Sequence, residues 1–441
     1  MKKSYYIILS VIFVLTVTTL PAQWSSLNLQ SGRYMMAATS GGNKAIFGGG
    51  IGFTTILPNV SDIYSASTNT MASGAFSHGR TSLAAAAVGN KLVFAGGADD
   101  WILATFDYVD IYNVTNGVWQ AASLSVSRAK LAAAGAGSKV LFAGGEQDGA
   151  GLVFNTVDIY DTTTLAWTTA QLSQARFNLC GASSGTKIMF AGGTDLQNTV
   201  FNTVDIYDIN TGLWTTDSLS VGRYGCAATS SGNKIFIAGG VTANGQASKV
   251  VDIYDVLTGT WTTDSLTQAR AFLGAATVGN LVFFAGGGDA NLTAVYNTVD
   301  IYNTTSGLWT TSTLTNARGL ASATSVSNKF LIGGGINAAF MPLSTVEIYT
   351  VVSTGIDESA TFGNFGVFPN PSNGSSEVQL FNPISNGYLT ITNVSGQELY
   401  RQRLDETIGN IHLNTSSFSS GIYFVNIQDE NTSVVKKLII Q

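Results

Sequence analysis

The sequence predicts an all-β chain: a seven-bladed β-propeller closed by its own N-terminal strand, followed by a small C-terminal β-sandwich. Three periodic features carry that expectation. An acid-Ile-Tyr triplet starts at Asp62, Asp110, Asp158, Asp205, Asp252, Asp300 and Glu347, every 47 or 48 residues. A Trp recurs at 24, 119, 167, 214, 261 and 309, with Met71 in the same place once, and nine residues after each stands an Arg. A glycine pair ends each β-branched, aromatic run: Gly48-Gly49, Gly96-Gly97, Gly144-Gly145, Gly192-Gly193, Gly239-Gly240, Gly286-Gly287 and Gly333-Gly334. A fixed period of this size, with glycine and aromatic marks, is the signature of radially repeated four-stranded sheets.

In chain order, Lys2 and Lys3 precede an apolar run over residues 5–20 that ends in Pro21-Ala22-Gln23, which reads as a signal peptide over residues 1–22. The run is short for a membrane anchor, and no second apolar stretch of spanning length follows. No Cys stands near the expected cleavage point, so no lipid anchor is expected. Residues 23–351 are the propeller. In the cassette beginning at Trp214, a short Trp strand leads through a polar turn to Arg223 and a strand of small residues over 225–229. A Ser-Gly-Asn hairpin turn, the apolar strand 234–238, a variable loop and the strand 250–254 complete four strands. Because the chain enters on a Trp strand and leaves on an Ile-Tyr strand, residues 24–28 are expected beside residues 345–350. That pairing would remove an open edge.

Taken together, the glycine doublet, the Tyr and the Trp about seven residues later resemble the kelch-repeat family (the galactose oxidase/kelch-like superfamily) over residues 24–350. The resemblance implies a propeller fold. It also brings copper oxidases of that superfamily into view, which need histidine ligands and a Tyr-Cys crosslink. This chain has only His78 and His412, and copper chemistry is not expected. A sugar isomerase or mutarotase-like activity, or a hydrolase, stays open, since two rim carboxylates or an Arg would suffice; no spacing singles such a pair out.

Sevenfold repetition argues for structural roles, because catalysis needs unlike groups to converge. Arg33, Arg80, Arg128, Arg176, Arg223, Arg270 and Arg318 equal the triplet acids in number, so each is expected to bond an acid or loop carbonyls. A solvated Arg ring around the channel mouth is the alternative. Three residues after the Arg a large side chain is usual and four after it a small one, so a knob of one blade faces a hole of its neighbour. Cys180 fills a hole position and Cys226 the knob position of the next cassette, so the two are expected to meet across one seam, as a disulfide or as two thiols.

Unlike residues concentrate in the loops after the glycine pairs. The candidate ligand-binding residues there are Asp99, Trp101, Gln147, Asp148, Asp195, Asn198, Asn244, Asp289 and Asn291. Rings stack on sugars and amides or acids bond hydroxyls, so a glycan or a surface protein is the expected partner. No cofactor is required; calcium would be the natural ion for the loop carboxylates, though no compact calcium loop is present. Charged residues make up 11% of the chain and the net charge is −6, which gives nucleic-acid phosphates no basic face. A monomer is expected.

Residues 352–364 read as a polar linker. Beyond it, Pro369-Asn370-Pro371, the strand containing Ser420-Gly421-Ile422-Tyr423, and the ending Lys436-Lys437-Leu438-Ile439-Ile440-Gln441 resemble, in order, the type A sorting domain of the Bacteroidetes type IX secretion system. That resemblance, over residues 365–441, implies contact with the secretion machinery and a mature chain that is secreted or held at the cell surface. The reading is an exported binding or adhesion module whose propeller rim meets the ligand, with a rim-sited carbohydrate-active enzyme as the alternative.

Overall fold

The computed structural model describes residues 24–53, 59–99, 102–351, 365–384, 386–405, 407–428 and 433–441. The leader, the linker over 352–364 and candidate Trp101 lie outside these residues, as does the side chain of Asp148. The chain divides into two compact units, residues 20–351 and a C-terminal one from residue 352.

Seven four-stranded antiparallel sheets make up the first unit. The first runs Ala37–Gly41, Lys44–Gly48, Val60–Ser65 and Thr70–Ala75 from its innermost to its outermost strand. The seventh is assembled from both ends: Ser322–Val326, Lys329–Gly333 and Thr345–Thr350 take Trp24–Asn28 as their outermost strand. Trp24 pairs with Tyr349 and Asn28 with Thr345. The innermost strands neighbour one another around a cycle that returns from Ser322–Val326 to Ala37–Gly41.

Composition follows position. Innermost strands are crowded about the axis and carry small residues, as in Ala132–Ala136 (AAAGA) and Gly274–Val278 (GAATV). Second strands are covered on both faces, so Lys139–Ala143 (KVLFA) is apolar after its first residue. Outermost strands are largely exposed, with Thr215 and Thr216 exposed beside half-buried Trp214. Apolar clusters cross the seams: Ala132, Leu141 and Ile159 of one blade pack with Phe190 and Tyr207 of the next. In six blades the triplet Tyr contacts the Trp strand paired with it, ring centroids 4.9–5.0 Å apart. Truncating such a buried aromatic to Ala costs about 3–5 kcal/mol.

Two glycine doublets shift by one residue from expectation. In the first and last cassettes the left-handed pair is Gly49-Gly50 and Gly334-Gly335, while Gly48 and Gly333 end their second strands. Both stretches contain three consecutive glycines, and position alone allows either register. The difference matters because the first glycine of each true pair lies against the Arg carbonyl of the following blade, where a Cβ would collide.

The C-terminal unit is a sandwich of a three-stranded sheet (Phe365–Phe368, Ser375–Ile384, Thr407–Asn414) and a four-stranded one (Glu398–Leu404, Gly387–Asn393, Gly421–Gln428, Ser433–Ile440). Val378, Leu389, Ile391, Val425 and Leu438 form its core. The Pro-Asn-Pro segment has a visible task. Asn370 donates from Nδ2 to the Lys437 carbonyl (2.6 Å) and accepts the Ile439 amide (2.9 Å), which clamps the last strand.

Candidate binding site at the propeller mouth

The seven Arg are fully buried, and each pairs with the triplet acid of its own blade. Six pairs measure 2.5–2.8 Å, and Arg33 binds Asp62 equally directly. The guanidinium also takes strand and loop carbonyls: Arg128 donates from Nε to Gly144 (2.8 Å), from Nη1 to Val126 (3.1 Å) and from Nη2 to Phe142 (3.1 Å). The acid's other oxygen accepts an amide from the incoming segment, as Asp158 does from Ser125 at 2.9 Å. Burial pushes the Asp62 carboxyl up and the Arg33 guanidinium down, and their mutual attraction opposes both. No Arg is therefore a solvated channel ligand.

What the Arg columns position is a second ring. Two residues after each Arg stand Met35, Ser82, Lys130, Asn178, Gly225, Phe272 and Leu320, all in the left-handed backbone region. Each donates its amide to the carbonyl of its counterpart one blade back: Ser82 to Met35, Lys130 to Ser82, Asn178 to Lys130, Gly225 to Asn178, Phe272 to Gly225, Leu320 to Phe272 and Met35 to Leu320, at 2.9–3.3 Å. The main chain thus closes a seven-membered hydrogen-bonded circle, and seven different residues, six with side chains and one glycine, are left at equivalent places around the axis.

These side chains line a basin of about 360 Å³, together with Met36, Leu83, Leu131, Leu179, Cys226 and Leu292. Its walls are largely apolar; Ser82, Lys130 and Asn178 supply the polar groups. Lys130 is ion-paired with buried Glu146, and its ammonium lies 5.6 Å from the Phe177 ring centre. Beneath the basin an axial channel is walled by small residues, among them Ala84, Ala132, Gly181 and Gly274. Asn178 also faces a second cleft of about 370 Å³ between the fourth and fifth blades, lined by Phe177, Thr194, Asn198, Val200, Tyr224, Thr242, Ala243 and Gly245.

Loops after the glycine pairs and the segments after each Arg leave their sheets at the same end, because second strands finish where innermost strands begin. The expected rim therefore surrounds the basin, but several of its residues serve their own loops. Asp195 accepts the Gln197 (3.0 Å) and Thr199 (2.8 Å) amides. Asp289 accepts those of Asn291, Thr293 and Ala294 and the Thr293 hydroxyl, and the hydroxyl, followed by those amides, holds its carboxyl below the usual range. Asn244 accepts the Gln246 amide and the Thr242 hydroxyl. Gln147 donates to the Ser127 hydroxyl at 3.3 Å, while Asp99 pairs across a two-residue ladder with Ala104. The backbone of Asp148 opens a short 3₁₀ turn, Asp148–Ala150. Asn198 reaches the cleft, and Asn291 is exposed on its loop. Among the described residues, no three His, Cys, Asp or Glu side chains gather as metal ligands would.

Sequence reasoning missed the ring two residues after the Arg: its residues vary, but so do those one after the Arg, and only the left-handed backbone distinguishes the ring.

Residues 222–263 match the family described as the Kelch motif, and residues 366–441 match the secretion system C-terminal sorting domain. The chain thus carries a kelch motif within its propeller and a type IX sorting domain at its end. Among solved structures, one titled "Structure of YjhT" superposes on this kelch propeller with a TM-score of 0.51 and 16% identity, covering 62% of this chain and 96% of that one. At that identity the likeness is one of fold. No curated protein sequence matches the chain. The sorting tail makes the kelch propeller a secreted or cell-surface protein that engages the type IX machinery. No helix of the described residues is long and apolar enough to cross a membrane.

Proposed function

We propose that this exported kelch propeller is a binding module that takes a glycan across its axial basin and the adjoining cleft. One observation carries the reading: a scaffold that repeats elsewhere presents seven unlike residues at one hydrogen-bonded ring. The chemistry suits a sugar. Phe177, Tyr224 and Phe272 are half-buried rings able to stack on C–H faces, while Asn178 and Asn198 offer amides for ring oxygens and hydroxyls. The loop carboxylates of Asp195 and Asp289 hold the rim in shape around it.

A glycan array probed with the exported protein tests this. The expectation is a defined set of bound sugars, with Tyr224→Ala and Asn178→Gly, the latter suited to the left-handed backbone, each weakening binding about tenfold or more, the loss typical of a buried anchor, in protein that still melts cooperatively. Full binding by both variants would move the site off this face.

A further inference from the structure

Cys180 and Cys226 alter the seam pattern at one place only. Elsewhere an apolar knob packs beside a small residue of the preceding blade, as Leu131 does with Ala84 and Leu273 with Ala227. Between the fourth and fifth blades the small position is Cys180 and the knob Cys226, and their sulfurs stand 2.8 Å apart as free thiols. That is nearer than two non-bonded sulfur atoms rest.

The two thiols are unequal. Cys180 is buried and directs Sγ toward the Ala191 carbonyl at 3.7 Å. Both cysteines line the channel, but only the half-buried Cys226 also lines the basin, so a solute at the mouth reaches it first. Arg223, fully buried three residues before Cys226, has Nε and Nη1 without hydrogen-bond partners. The bond shared with Cys180, and then the Arg223 charge, hold Cys226 below the usual thiol range; the same shared bond and burial push Cys180 up. A reachable, acidified thiol beside a buried one is the arrangement of an attacking and a resolving cysteine.

We propose that Cys180 and Cys226 are a modification site, a dithiol converted to an inter-blade disulfide by exchange with a low-molecular-weight disulfide entering at the propeller mouth. The Cys226 thiolate attacks one sulfur of the incoming disulfide, whose S–S bond breaks and releases a thiolate that takes up the proton Cys226 has lost. Cys180 then attacks Sγ of Cys226, the mixed disulfide breaks, and the second leaving thiolate takes the proton of Cys180. The protein dithiol loses two electrons and two protons, and the reagent disulfide becomes two thiols. The bridge joins Cys180–Ser184, the innermost strand of the fourth blade, to the segment leading into the fifth, beside Asn178 and Gly225 of the basin. The proposal stands whether or not the basin holds a sugar.

The test uses the full-length native protein, reduced, desalted and incubated with oxidised glutathione, with thiols counted after unfolding. The expected count falls from two to none, and a peptide linking residues 180 and 226 is recovered. Cys180→Ala, which restores a small residue common at that position, should instead accumulate one glutathionyl group on Cys226. Cys226→Leu, which restores the usual knob, should react on the order of tenfold more slowly, as befits a buried thiol. Two thiols persisting in the unsubstituted protein, a stable glutathionyl adduct on it, or a Cys226→Leu variant that reacts at the original rate would each overturn the proposal.

Discussion

Removing the guanidinium of Arg128 would leave the Asp158 carboxylate buried with its Ser125 contact but without its countercharge. Breaking such a pair on one side costs about 3–5 kcal/mol, so Arg128→Ala should lower unfolding free energy by that amount in a urea titration. Arg128→Lys should not restore it, because an ammonium cannot reach Asp158 and the carbonyls of Val126, Phe142 and Gly144 together. A loss below ~1 kcal/mol would show that the pair contributes no more than an exposed one. Glycines separate in the same way. Gly89 and Gly96 both have positive φ, but a Cβ at Gly89 meets open space and one at Gly96 meets the Arg128 carbonyl. Gly89→Ala should cost only the backbone term of about 1–2 kcal/mol. Gly96→Ala should cost about 1–3 kcal/mol more, from forced overpacking, in the same titration.

Between strands, short polar turns are held by single carboxylates, and pH reads them out. The Thr163 amide, with others, holds Asp161 below the usual carboxylate range, and the Lys187 ammonium chiefly does so for Asp208. A folded carboxyl more acidic than its unfolded form stabilises the turn above the ordinary aspartate value of about 3.9. That contribution is lost as pH falls through the lower folded value. The protection of the Thr163 and Asn210 amides, as exchange relative to the intrinsic rate at each pH, should therefore fall on acidification through that window, and Asp161→Asn should flatten the response at Thr163. The same habit explains what the loop sequences concealed. Asp195, Asn244 and Asp289 read as ligand groups because they are polar and unlike their counterparts, yet two to four residues on in each case is a backbone amide that the side chain bonds. The Arg–acid pairs were legible because both columns recur in step across seven cassettes. The basin residues were not, since nothing in Met35, Ser82 or Lys130 as residue types announces a left-handed backbone. The seven-sheet architecture followed from periodicity, whereas triple-glycine runs left the doublet register undetermined until φ was known.

At the scale of the whole molecule, the seventh sheet takes its outermost strand from the other end of the propeller. Deleting residues 24–28 should expose the Thr345–Thr350 edge, replace one cooperative thermal transition with a broad one, and promote association measurable by light scattering. Unaltered melting would mean that the strand contributes little to the ring. A chain ending before residue 366 should fail to reach the cell surface or medium, which fractionation of the producing bacterium would detect. The circle of amide-to-carbonyl bonds at the mouth has a consequence for how such a protein diversifies. Every link in it is main chain, and the side chains it displays are absent from the bonds that hold it closed. Recognition and architecture are thereby written in separate alphabets: seven letters on the axis can be exchanged one at a time, at the modest cost of a left-handed residue, while the frame that displays them stays the same.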